Sequence, residues 1–213
     1  MTRPVSRLLR RLVLTVVLLV CTSCSSLFGG GGPAQLYRVS PASTYPANLL
    51  HRSVQLLIDQ PLAPAGLDTS RIALSRSPLS IEYFADSEWA ERTPLLLQTA
   101  LLQSFENSRA ITAIGRESTG LRADFILGPE IRHFEAVYDS PNGAPEAWVA
   151  INVQLINPSS REVVARSSFA RRQRASANDV PAIISGFDEA LAGVMTEIVV
   201  WTITNPVLSI RHS

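Results

Sequence analysis

The sequence predicts an α+β fold: an antiparallel sheet with two main helices packed on one face. Three observations carry it. Several short segments alternate apolar and polar residues at period two, the signature of half-buried strands. Two other segments repeat apolar residues at helical spacing, each opened by a polar residue beside a proline. Asn-, Gly- and Pro-rich turns join successive strand segments, which favours hairpins and a meander, with the helices segregated to one side.

The first 23 residues read as a secretory signal. Arg3, Arg7, Arg10 and Arg11 precede the apolar run Leu12–Val20, and the small residues Thr22 and Ser23 lead to Cys24. That run is about half the roughly 20 residues a spanning helix needs. A cysteine directly after the cut can be acylated on its thiol and its freed amine, so Cys24 is the expected lipidation site. Cys21 occupies the −3 position, where a lipobox usually has leucine, but Cys21 itself would place the bulky Val20 before the cut. Ser25 and Ser26 follow Cys24, with no aspartate to retain the protein at the inner membrane, so the outer membrane is the expected location. Residues 24–33 contain four consecutive glycines and read as a flexible tether.

The domain expected over residues 34–204 begins with a short strand at Gln35–Val39 and a proline-punctuated loop at 41–46. Val54, Leu56 and Ile58 alternate in a strand over Ser53–Asp59. Arg71–Arg76 and Ile81–Phe84 flank Ser77-Pro78 and read as a hairpin. Thr93 and Pro94 open a helix with Leu97, Leu101 and Phe105 at spacing four, ending at Asn107 and Ser108. Ile111–Ile114 is a short strand. Ala123–Tyr138, Trp148–Ile156 and Glu162–Arg172 follow as three strands joined by turns at 139–145 and 157–160. In the middle one Val149, Ile151, Val153 and Leu155 face one way, Asn152 and Gln154 the other. Asp179, Val180 and Pro181 open the last helix, with Ile184, Phe187, Leu191, Val194 and Ile198 as its stripe; residues 205–213 read as a tail.

Composition narrows the function. The chain has 213 residues and 19 basic side chains, all arginine, against 18 acidic ones. Loss of the four signal arginines leaves a mature chain near −3, which argues against nucleic-acid binding. Both cysteines lie in the first 24 residues, so the domain has no disulfide framework or cysteine metal site. His51, His133 and His212 are scattered without a metal-ligand spacing, and there is no Gly-x-Ser-x-Gly elbow or phosphate-cradling loop. No cofactor and no enzymatic activity are expected. Glu82, Asp86, Glu88 and Glu91 around Trp89 read as a solvated helix start, and Arg171, Arg172 and Arg174 as a charged strand edge. Trp148 and Trp201 read as core residues by default, with an interface as the alternative.

The stretch from Arg71 to Pro94, running into Leu95–Leu102, resembles the ABC-type transport auxiliary lipoprotein family. There a strand ending in arginine leads to a strand with a tyrosine, then a tryptophan-alanine pair and an apolar helix. Arg76, Tyr83, Trp89 and Ala90 occupy those places. The paired strands over Trp148–Arg172 and the single C-terminal helix also match the family's order of elements. The resemblance implies a cell-envelope lipoprotein working with an ABC permease, its ATPase and a periplasmic MCE-domain protein in lipid movement between membranes. It places a partner interface at Arg76, Tyr83 and Trp89, and leaves homo-oligomerisation open. The competing expectations are a lipoprotein assisting outer-membrane or lipopolysaccharide assembly, and an envelope hydrolase.

Overall fold

The computed structural model describes residues 33–209; the expected signal, Cys24 and nearly all of the tether lie outside the described residues. Eight strands form one sheet: β1 (Gln35–Tyr37), β2 (Arg52–Ile58), β3 (Arg71–Ser75), β4 (Glu82–Trp89), β5 (Ile111–Arg116), β6 (Phe125–Val137), β7 (Glu146–Asn157) and β8 (Glu162–Arg174). Helix α1 (Thr93–Ser108) lies between β4 and β5, and α2 (Val180–Thr204) follows β8. The α+β class holds, with both helices closing over the same core.

The β3–β4 hairpin and the β6–β7–β8 meander are antiparallel, as their short turns require. The sheet as a whole is mixed. β2 pairs in parallel with β5 and β6, β3 with β6, and β1 with β4. Strand β6 organises this arrangement. One long edge takes β7 along its whole length. Its other edge takes three earlier segments in turn: β2 opposite Phe125–Leu127, a single bridge from Leu62 to Glu130, and β3 opposite Glu135–Val137. Pro129 sits at the seam where β2 ends and the Leu62 bridge begins. Its missing N–H therefore interrupts no ladder bond, while its carbonyl accepts from the Leu62 N–H at 3.0 Å.

A register shift in β6 between Ile131 and His133 sets which residues face out. Phe125, Leu127 and Ile131 are buried up to that point; past it Phe134 and Ala136 are buried instead. One extra residue in a period-two strand inverts its faces. The shift keeps the core continuous and turns His133, Glu135 and Val137 to the helix-free side.

In α1, Leu97, Leu101 and Phe105 are each at most 1 % exposed. Thr93 is the first helical residue and not the cap: its hydroxyl donates to the Thr69 carbonyl at 3.0 Å, tying the helix to the loop before β3. In α2 the Asp179 carboxylate accepts from the Ala182 N–H at 2.9 Å, a true N-cap. At the other end the Arg52 Nε donates to the Ile203 carbonyl at 2.7 Å, satisfying a terminal acceptor. Beyond Asn205 the chain makes a 3-10 turn over Pro206–Ser209 that buries Leu208.

The acidic stretch around Trp89 is not a helix start. Glu82–Trp89 is strand, and Asp86 has a positive φ of 53° where the β3–β4 register shifts. That irregularity delivers Ser87 and Trp89 into the interior.

Candidate functional site

A cleft of about 670 Å³ opens on the helix-free side of the sheet, between the β3–β4 turn and the ends of β6, β7 and β8. Its floor is a stack of three side chains from three strands. The Trp148 indole lies flat on the His133 ring, with centroids 3.3 Å apart and planes 12° apart. The Arg172 guanidinium covers the indole at 4.0 Å. Pairing of Trp148 with both Glu135 and Arg172 across β7 brings these groups together. Leu79 and Ile81 from the turn form the apolar rim, with Arg76 beside them.

The charges around the cleft are paired. The Arg76 Nη1 lies 2.5 Å from a Glu82 carboxylate oxygen, and His133 Nδ1 lies 2.7 Å from Glu135. Arg174 bridges Asp139 and Glu146 at 2.9 Å each and Arg172 reaches Glu146 at 3.5 Å; on the helix side of β8, Arg171 reaches Glu197 of α2 at 2.6 Å. The three arginines of β8 thus hold its edge to its neighbours and keep it charged, which discourages strand addition. Burial pushes the Tyr138 hydroxyl up from its ordinary range, partly offset by the nearby Arg76 cation. Among the described residues, no serine or threonine hydroxyl is hydrogen-bonded to a histidine, and no three His, Cys, Asp or Glu groups converge as metal ligands. The arrangement presents an aromatic floor and an apolar rim, with Arg76, Arg172 and Arg174 each held to a carboxylate, which is a surface suited to binding.

Of the three residues expected at a partner interface, Arg76, Tyr83 and Trp89, only Arg76 lines this cleft. Tyr83 lies beside it on β4, half-buried, its hydroxyl donating to the Gly66 carbonyl at 3.0 Å and its ring under the Arg71 guanidinium at 3.8 Å. Trp89 is on the opposite side of the sheet and 1 % exposed, packed against Phe134 and Phe187 with ring centroids 5.3 and 5.4 Å away. A side chain so enclosed cannot itself touch a partner; it supports the strand that carries Tyr83. Trp148 is a floor residue of the cleft and not core, and Trp201 is half-buried edge-on to Phe169 at 5.9 Å. The signal for Trp148 was present in the sequence, because it shares the phase of Asn152 and Gln154 on the polar face of β7.

The family model for the ABC-type transport auxiliary lipoprotein component matches residues 35–199. The chain belongs to this family. The match starts at the first residue of β1 and ends within α2, so it takes in the whole sheet, α1 and most of α2. The chain is similar to the solved structure of protein XCC0632 from Xanthomonas campestris. The two are 29 % identical, with a TM-score of 0.75, over 80 % of this chain and 95 % of that one. A second solved structure, 12 % identical with a TM-score of 0.60 over 79 % of this chain and 97 % of its own, shares the fold. Protein bll6063 of Bradyrhizobium diazoefficiens is 29 % identical over 189 residues, 86 % of this chain and 49 % of its own. The chain thus spans about half the length of that curated relative. Membership in a lipoprotein family places the protein at the cell envelope. Among the described residues no helix is long and apolar enough to cross a membrane.

Proposed function

We propose that the protein is a non-enzymatic, lipid-anchored accessory subunit, acylated at Cys24, periplasm-facing and held at the outer membrane. It docks an MCE-domain protein and through it an ABC permease and ATPase that move lipid between the two membranes. The observation that carries this reading is the family match across nearly the whole domain, from β1 into α2. The cleft supports it, since an aromatic floor with an apolar rim suits a protein or amphiphile surface better than bond-making chemistry. Arg76 and Tyr83 lie at the rim and beside it, where a docked partner would meet them.

The test is affinity purification of the full chain from its own envelope after crosslinking, with mass spectrometry of the bound proteins and of the Cys24 peptide. Recovery of an MCE-domain protein with its permease and ATPase, and a diacylated, N-acylated Cys24, is the expected result. Recovery of a β-barrel assembly or lipopolysaccharide-export component in their place would transfer the protein to outer-membrane assembly.

A further inference from the structure

The turn between β3 and β4 reads Ser77-Pro78-Leu79-Ser80-Ile81, five uncharged residues in succession, all exposed. Leu79 is 97 % exposed and Ile81 42 %. The charges that flank the turn, Arg76 and Glu82, neutralise each other at 2.5 Å. Part of the turn's backbone is bonded within itself. The Ser77 carbonyl accepts from the Ser80 N–H at 3.1 Å and from the Ser75 hydroxyl at 2.8 Å, and the Leu79 N–H approaches the Ser77 hydroxyl at 3.4 Å. Each N–H bonded in this way is one fewer donor to desolvate when the turn leaves water. Close by stands Trp148, a half-buried indole of the kind that settles at a bilayer interface.

Topology fixes where the chain enters relative to this turn. Strand β1 runs parallel to β4, with Gln35 level with Ser87 and Tyr37 level with Trp89. Traced backwards from Gln35, β1 therefore heads toward Glu82 and the turn. Eleven residue steps separate Gln35 from Cys24, a span of at most about 36–40 Å at 3.3–3.6 Å per residue. Ser87 and Glu82 are five steps apart along β4, roughly 17 Å at about 3.3 Å each. The link to Cys24 is thus long enough for the turn to reach the surface that holds the anchor.

We propose that residues 77–81 are a membrane-contact tip, with Leu79 and Ile81 entering the interfacial layer of the bilayer that carries the acylated Cys24. This deepens the anchor reading above and rests on it. One leucine and part of an isoleucine would not retain a free domain at a bilayer, but an acyl anchor makes their contact intramolecular. The tip then orients the domain, with the cleft at the membrane side and the far end of β6 in the periplasm. That far end carries Leu121, 56 % exposed and just ahead of Phe125. The two ends of β6 are roughly 40 Å apart, given the twelve residue steps from Phe125 to Val137 at about 3.3 Å each.

The test uses the full acylated chain with Leu79→Cys or Leu121→Cys, each labelled with an environment-sensitive fluorophore. The acylated Cys24 thiol is blocked and Cys21 leaves with the signal, so labelling is specific. The protein is reconstituted into phosphatidylethanolamine–phosphatidylglycerol vesicles, after mass spectrometry of the Cys24 peptide. The expected result is a blue-shifted label at 79, quenched several-fold more by nitroxide lipids than the label at 121 and shielded from iodide. Equal nitroxide quenching at the two positions overturns the proposal. So does a blue shift at 79 without nitroxide quenching, which would mean protein contact. An unacylated Cys24 removes the anchor reading itself, and the tip with it.

Discussion

Replacement of Trp89 by alanine tests whether the family's tryptophan acts through the core or through a surface. Its ring is 1 % exposed and meets Phe134 at 5.3 Å and Phe187 edge-on at 5.4 Å. These two also touch each other at 4.9 Å, so the three form a cluster joining β4, β6 and α2. Truncation to alanine removes both aromatic pairs and leaves a cavity that a sheet–helix junction closes poorly. A loss of about 3–5 kcal/mol is expected, a large part of the 5–15 kcal/mol that holds a typical domain together. Trp89→Phe behaves differently. Among the described residues the buried indole N–H has no acceptor. Phenylalanine keeps most of the ring and removes that donor, so the net change is expected within about 1 kcal/mol of zero. Urea unfolding followed by far-UV circular dichroism measures both, and an unchanged slope would show that only stability has moved. The reasoning fails if Trp89→Ala costs less than about 1.5 kcal/mol, well under the range for such truncations, or if Trp89→Phe costs as much as alanine. Partner capture adds a second readout. A folded Trp89→Phe that captures partners normally assigns the residue to the core; a folded variant that fails would mean the indole N–H is recognised directly.

Gly186 lies within α2, where an added Cβ would sit 3.4 Å from the Gln173 carbonyl and 3.6 Å from Ala147. Gly186→Ala fits at contact distance and should stabilise by up to about 1 kcal/mol through helix propensity, whereas Gly186→Val should destabilise; thermal unfolding distinguishes them. Asp179→Ala removes the side-chain N-cap of α2 and should cost about 1 kcal/mol in the same assay. Tyr45 donates to the Ser104 carbonyl at 2.6 Å, and burial pushes its hydroxyl up to about 12, against a smaller opposing effect of the Ser104 side-chain hydroxyl. Because the folded value lies above the unfolded one near 10, this contribution to stability is complete below about pH 10 and is lost as pH rises toward 12. Ultraviolet titration should therefore show a late tyrosine that vanishes in Tyr45→Phe.

Local pattern carried a large share of this molecule. The alternation in β7, the leucine spacing of α1 and the stripe of α2 each fix an element through the residues they must bury. The hairpin and the meander followed from the turns at 77–80, 139–145 and 157–160, because a short turn leaves neighbouring strands no partner but each other. The motif Arg76, Tyr83, Trp89 was equally legible as a family mark. What it does was not. Tyr83 and Trp89 belong to one strand, yet an irregularity at Asp86 sends one to the cleft side and the other into the core. A positive φ at an ordinary residue has no local signature.

The sequence by itself determined most of the elements, the hairpin and meander, and the family, since each depends on residues near one another in the chain. Only the tertiary structure decided that the sheet is mixed, because the parallel pairs join segments with long intervening chain, as with β2 and β6. It also decided the cleft. Trp148, His133 and Arg172 come from three strands, and only the shift at Ile131–His133 puts His133 in phase with the others. A period-two pattern states which residues share a face; it takes the assembled sheet to state which faces meet.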